Sequence, residues 1–187
     1  MNALQTYIAH RKKLIAQSYV NFVINWDMET AAAEQSIAAD SEQMGVISEY
    51  DYALTTDPEF EAAVEELYAD LSGIADPVLR HEIEVMHEHI SDTKKIPVEE
   101  YTAYSQLSAE SYGVYGAAKR ANGFEMFRPY LEKIIAYLRK TTVWLQTDER
   151  KGYDVLLNQY EPRYTTAKYD KFFGALRTRL VPVVKKV

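Results

Sequence analysis

Apolar residues recur along the chain at spacings of three and four, as they do in helices that bury one face, and no stretch alternates as a strand would. The first run, Leu4, Tyr7, Ile8, Leu14, Ile15, Phe22 and Val23, predicts a long opening helix with this side turned inward. It leads into Trp26-Asp27-Met28-Glu29-Thr30, where an indole, a carboxylate and a hydroxyl stand close together as a buried helix emerges. Two physical readings fit these residues. Trp26 can be a buried anchor with Asp27 or Thr30 as a helix cap. Alternatively, Trp26 walls a cleft while Asp27 and Thr30 offer hydrogen-bonding groups to a substrate.

The same period continues downstream. Residues 31–50, rich in alanine with Ile37, Met44 and Ile47, predict a second helix. Asp57-Pro58 and Asp76-Pro77 each set a capping acid before a proline at the first helical position, where its missing N–H is no loss. Phe60, Val64, Leu67 and Leu71 line the first of these helices, which Gly73 is expected to end; Leu79, Ile83, Met86 and Ile90 line the second. Ile96-Pro97 then breaks the chain before a helix carrying Tyr101, Tyr104, Ser108, Ser111 and Tyr115, a stripe read as packing rather than recognition. Asn122-Gly123 is a turn signal before a long amphipathic helix with Phe127, Leu131, Ile134, Ile135, Leu138 and Leu145, and Pro129 is expected in or just before its first turn. A short apolar turn closes at Pro162. Thr165-Thr166 then caps a last helix bearing Tyr169, Phe172, Phe173, Leu176, Leu180 and Val183, with a kink expected at Pro182. The pattern predicts an all-α multi-helix bundle, a single helical domain over residues 1–187.

Composition narrows the chemistry. With 187 residues and 47% hydrophobic content the chain can bury one sizeable core, and it contains no cysteine, which rules out disulfides and thiolate metal sites. A net charge of −7, with the main basic clusters at residues 11–13 and 185–186, argues against a nucleic-acid partner. No apolar run approaches the ~18 residues of a membrane span and no leader opens the chain, so a soluble, cytoplasmic protein is expected.

Histidine supplies the only soft ligands, and their spacing is poor. His81-Glu82-Ile83-Glu84-Val85 begins like the zinc motif HExxH, but Val85 occupies the second ligand position. His87 and His89 are two apart, about 200° around a helix, and cannot converge on one ion. A di-iron bundle needs paired Glu-x-x-His elements, whereas Glu84-x-x-His87 occurs singly. No metal ligand and no catalytic residue are therefore assigned, and the histidines are expected to be adventitious or solvent-exposed.

Trp26-Asp27 with Thr30 after a long first helix resembles the thermostable carboxypeptidase Taq family of zinc metallocarboxypeptidases. The resemblance extends through Ile96-Pro97, Phe124-Glu125-Met126-Phe127, Pro129-Tyr130-Leu131-Glu132, Tyr153-Asp154, Leu156-Leu157, Glu161-Pro162, Phe173, Leu176 and Pro182, in order and spacing. It implies the amino-terminal portion of a larger, mostly helical metallopeptidase fold. By resemblance, the full-length parent removes carboxy-terminal residues from peptides, uses zinc or a similar divalent metal, and belongs to a family whose members are often homodimers. The metal ligands, together with the groups that act on the peptide carboxylate, then belong to a catalytic region of the same chain beyond Val187.

The resemblance places Trp26, Asp27 and Thr30 nearest the substrate groove and gives these helices the role of its wall. The chain departs from the family pattern at Ala33, Gln35 and Ser36, where proline and glycines are usual, and at Asp40, where arginine is usual. Tyr115 stands where tryptophan is common, and Arg163 where glycine is common. These changes predict a more helical segment after Thr30. A last helix without a stop signal predicts a fragment, inactive alone and without tight zinc, with an apolar patch exposed where the rest docks. The alternative is a free-standing helical binding module with no catalysis.

Overall fold

The computed structural model describes residues 2–33 and 36–186 and contains eight α-helices and no strand among them. In order these are α1 (Ala3–Thr30), α2 (Ile37–Thr55), α3 (Pro58–Ala69), α4 (Pro77–Lys94), α5 (Val98–Arg120), α6 (Phe124–Trp144), α7 (Tyr153–Asn158) and α8 (Thr166–Val184). The chain divides into two compact units, Met1–Ile135 and Ala136–Val187, and α6 runs across the division.

Helix starts follow the sequence closely. Asn2 accepts from the Gln5 N–H while the Gln5 side chain returns to the Asn2 N–H, a reciprocal capping box. Asp57 and Asp76 cap α3 and α4 ahead of their prolines, accepting from Phe60 N at 2.9 Å and Val78 N at 2.9 Å. Thr165 caps α8.

Other boundaries differ from expectation. The second helix covers Ile37–Thr55 rather than residues 31–50, so the residues after Thr30 are less helical than predicted; Gln35 lies outside the described residues. The helix before Gly73 ends at Ala69, and Leu71–Gly73 is a separate 3-10 turn in which Asp70 accepts from Gly73 N. Pro129 sits inside α6, sixth from its start, and the turn before Pro162 contains α7.

In the first unit, α1, α3 and α4 enclose the main core: Tyr7, Phe60, Val64, Ile83 and Ile90, with Leu14, Leu67, Leu71, Ile74, Leu79 and Met86 around it. Phe60 is fully buried between two rings, Tyr7 at 5.8 Å and His10 at 4.2 Å between centroids. Beside this core, α2 and α5 lie antiparallel and very close. Gly113 faces Ile37, Gly45 faces Gln106, and the Tyr52 and Tyr101 rings meet edge to face at 5.4 Å. Small residues permit this approach. Buried Ser41, Ser48 and Ser111 each return their hydroxyl to a carbonyl of their own helix, so none of the three is stranded.

In the second unit Thr141, Leu145 and Val155 are buried, and the Asp154 carboxylate accepts from Thr166 N at 2.7 Å, tying α7 to the start of α8. Helix α8 itself is bare: every residue from 170 to 186 is exposed, including Phe172, Phe173, Leu176, Leu180 and Val183. No described helix is long and apolar enough to cross a membrane.

Candidate functional site

Helix α1 turns a mixed side inward, with polar groups among its apolar ones. Beyond Leu14, the positions less open to solvent are Gln17, Asn21, Ile24 and Met28, at spacings of four, three and four. Gln17 Nε2 donates to the Ile47 carbonyl at 3.4 Å, and Asn21 Nδ2 donates to Asp51 at 3.3 Å. Further up the same side, His10 is buried and its Nε2 donates to the Leu54 carbonyl at 2.8 Å. Burial pushes the Asp51 carboxyl above the usual carboxylate range, an effect opposed by His89 and the Asn21 bond. Burial, with the charge of Asp51, pushes the Tyr101 hydroxyl up to about 12. A polar seam from three helices, α1, α2 and α5, therefore underlies the second half of α1.

The opposite side carries the apolar residues. Ile15, Tyr19, Phe22, Val23 and Trp26 are all exposed, Phe22 at 64% and Trp26 at 58%. At about 100° per residue, Ile15, Tyr19, Phe22, Val23, Trp26 and Thr30 fall within an arc of about 100°. Of the opening apolar run, only Tyr7 is fully buried and Leu14 partly so; Ile8, Ile15, Phe22 and Val23 face water, contrary to the sequence expectation. The spacing was helical. The side that packs carries Gln17 and Asn21, which bond α2, together with Leu14, Ile24 and Met28.

The structure thus brings Trp26, Asp27 and Thr30 to one exposed helix end. The Thr30 hydroxyl donates to the Trp26 carbonyl at 2.6 Å, one turn back, which fixes its rotamer. The Asp27 carbonyl accepts from Ala31 N and Ala32 N as the helix closes, while the Asp27 carboxylate makes no hydrogen bond among the described residues. A buried anchor is not what Trp26 is, and in the last turn neither Asp27 nor Thr30 can cap a helix start.

Elsewhere the titratable groups are dispersed. His81 pairs with Glu84 on the surface of α4, and His89 is exposed. His87 stacks flat on Tyr68 at 3.8 Å and meets Glu65 at 3.0 Å. His10 was not singled out by sequence reasoning, although its place three after Tyr7 and four before Leu14 puts it on the inner face. Among the described residues no group of three His, Asp or Glu side chains is placed to hold a metal ion, so the divalent metal implied by the resemblance finds no cradle in them. Tyr101 and Tyr104 are half-buried, as packing residues should be, whereas Tyr115 is 46% exposed.

Comparison with known proteins places this arrangement. Carboxypeptidase 1 of Bacillus subtilis is 26% identical over 180 residues, a match covering 96% of this chain and 34% of the relative. Thermostable carboxypeptidase 1 of Pyrococcus furiosus is 26% identical over 186 residues, covering 98% of this chain and 36% of the relative. The chain thus spans about a third of the length of the curated relatives it matches. Two solved structures share the fold. The BsuCP crystal structure superposes with a TM-score of 0.88 at 24% identity over 98% of this chain and 37% of that one. The Pyrococcus furiosus Carboxypeptidase Apo-Mg structure gives 0.76 at 24% identity, over 100% of this chain and 37% of that one. The Carboxypeptidase Taq (M32) metallopeptidase family model matches residues 6–187, and the chain belongs to that family.

Proposed function

We propose that this chain is the amino-terminal helical part of a metallocarboxypeptidase that removes carboxy-terminal residues from peptides, and that its role there is to wall the substrate groove. The metal, zinc or a similar divalent ion, and the groups that activate water belong on this reading to the region of the family fold that these residues do not cover. The observation that carries the reading is the inverted α1. An apolar stripe ending in Trp26 stays in water while Gln17 and Asn21 pack inward, an arrangement that wastes about 25 cal/mol per Å² of apolar surface unless something covers it. Bare α8 supports the same view, as does a chain spanning about a third of its relatives.

At the end of the stripe, Trp26 presents a flat apolar wall and Asp27 a carboxylate with unused acceptor capacity, while Thr30 is held by its bond to the Trp26 carbonyl. Such a wall orients a flexible peptide, limits entry by folded substrates and excludes water from the reacting bond. None of the three residues performs the bond cleavage; they position the peptide that is cleaved.

The test is a chimera in which this chain replaces the matched third of the Bacillus subtilis relative. With the chimera shown to fold and load metal, Trp26→Ala and Asp27→Asn should each lower kcat/KM for a blocked dipeptide by about tenfold, the loss expected of about 1.4 kcal/mol. The melting temperature of each variant, read on the same samples, separates a loss of substrate binding from a loss of folding. Unaltered kcat/KM in both variants of an active chimera would sink the groove assignment.

A further inference from the structure

The seam between α1 and α2 contains an acceptor that its neighbours leave without a donor. Asn21 Oδ1 is buried and takes no hydrogen bond among the described residues, while Nδ2 of the same amide donates to Asp51 Oδ2 at 3.3 Å. An ionised carboxylate only accepts, so an ionised Asp51 can serve the Nδ2 side of this amide and never the Oδ1 side. A protonated carboxyl also carries an O–H. Two planar groups already joined by one N–H···O bond can then close a ring, the O–H donating to the amide oxygen, and the buried acceptor is no longer stranded.

The surroundings favour the proton. Burial pushes the Asp51 carboxyl above the usual carboxylate range, because the neutral form is the easier one to take out of water. Helices α1, α4 and α5 pack against α2. From α1 comes the neutral Asn21, and from α4 the charge of His89, which opposes the rise. From α5 comes Tyr101, its own hydroxyl pushed up to about 12 by burial and by the charge of Asp51.

We propose that Asp51 and Asn21 form a cyclic acid–amide pair, carboxyl O–H to amide oxygen and amide N–H to carboxyl oxygen, and that this pair is a proton-dependent clasp of α1 on α2. It lies one turn beyond Gln17, whose bond to the Ile47 carbonyl involves no titratable group. When Asp51 gives its proton to solvent, Asn21 Oδ1 is stranded again and the last turns of α1, which carry Trp26, Asp27 and Thr30, are held less firmly. The folded chain binds this proton more tightly than the unfolded one, so the clasp's contribution is full below the ordinary 3.8 and is lost as pH rises through the folded-state value. The clasp does not depend on the groove assignment.

The test is an NMR titration of the isotopically labelled 187-residue chain from pH 4 to pH 8. The Asp51 carboxyl carbon and the Asn21 side-chain amide should titrate together, with a shared midpoint above 3.8. Hydrogen exchange, corrected for its intrinsic pH dependence, should find the amides of residues 22–30 about threefold less protected at pH 7 than at pH 4. Asp51→Asn supplies an amide that closes the same ring at every pH, so this variant should lose that difference. His89→Gln removes the opposing charge and should keep the difference while moving the midpoint upward. An Asp51 midpoint at or below 3.8, an Asn21 amide that does not follow it, equal protection at both pH values, or a difference that persists in Asp51→Asn would each overturn the proposal.

Discussion

Gly113 of α5 packs against Ile37 of α2. A Cβ built there would lie 2.6 Å from Ile37 Cδ1 and 2.9 Å from Ile37 Cγ2, nearer than any carbon pair tolerates. Alanine in a helix interior gains about 1 kcal/mol over glycine, but overpacking of this kind costs about 1–3 kcal/mol, and valine removes the propensity gain as well. Gly113→Val should therefore destabilise the chain by about 1–3 kcal/mol in urea unfolding, and Ile37→Ala should recover part of the loss in the double variant. Asp51 gives a pH-dependent case. Its folded-state pKa is raised by burial above the ordinary 3.8, so the folded chain holds this proton more tightly than the unfolded one. Stability from this group is present below the unfolded value and is lost as pH rises through the folded one. Asp51→Asn, which keeps an acceptor for Asn21, should accordingly stabilise the protein more at pH 7 than at pH 4. An equal effect at both pH values would remove Asp51 as the source. Arg163 shows a family departure with a physical meaning: it sits at φ 66°, where glycine is at ease, and its N–H is held by the Asn158 side chain at 2.8 Å.

Among the elements, the helix starts were legible because they are local. An acid before a proline specifies its own geometry, and α3 and α4 begin where Asp57-Pro58 and Asp76-Pro77 place them. Each cap is an isolated hydrogen bond, so Asp57→Ala and Asp76→Ala should each cost about 0.5–2 kcal/mol in urea unfolding, while asparagine at either position should retain most of it. What the sequence could not show was the rotation of α1. Its apolar period was plain, but the side that packs meets α2 thirty or more residues away, where the Ile47 and Leu54 carbonyls and the Asp51 carboxylate accept from Gln17, His10 and Asn21. The trio at the end of α1 was legible from its residue types. That Trp26 faces outward was not, because an indole at a helix end serves a core equally well.

At the scale of the molecule, the M32 fold is present over nearly the whole chain, yet the distribution of chemistry is uneven. The buried core lies among α1, α3 and α4, whereas one side of α1 and nearly the whole of α8 keep large apolar side chains in water. Among the described residues the histidines and acids are scattered over separate faces rather than gathered at one point. On the proposed reading the reacting centre is supplied from elsewhere in the fold. Calorimetric titration of the purified 187-residue chain with zinc, followed by a carboxypeptidase assay of the same sample, tests that account most directly. The account predicts neither stoichiometric tight uptake nor release of carboxy-terminal residues. One equivalent of zinc bound at submicromolar affinity, with peptide hydrolysis that a chelator abolishes, would contradict it.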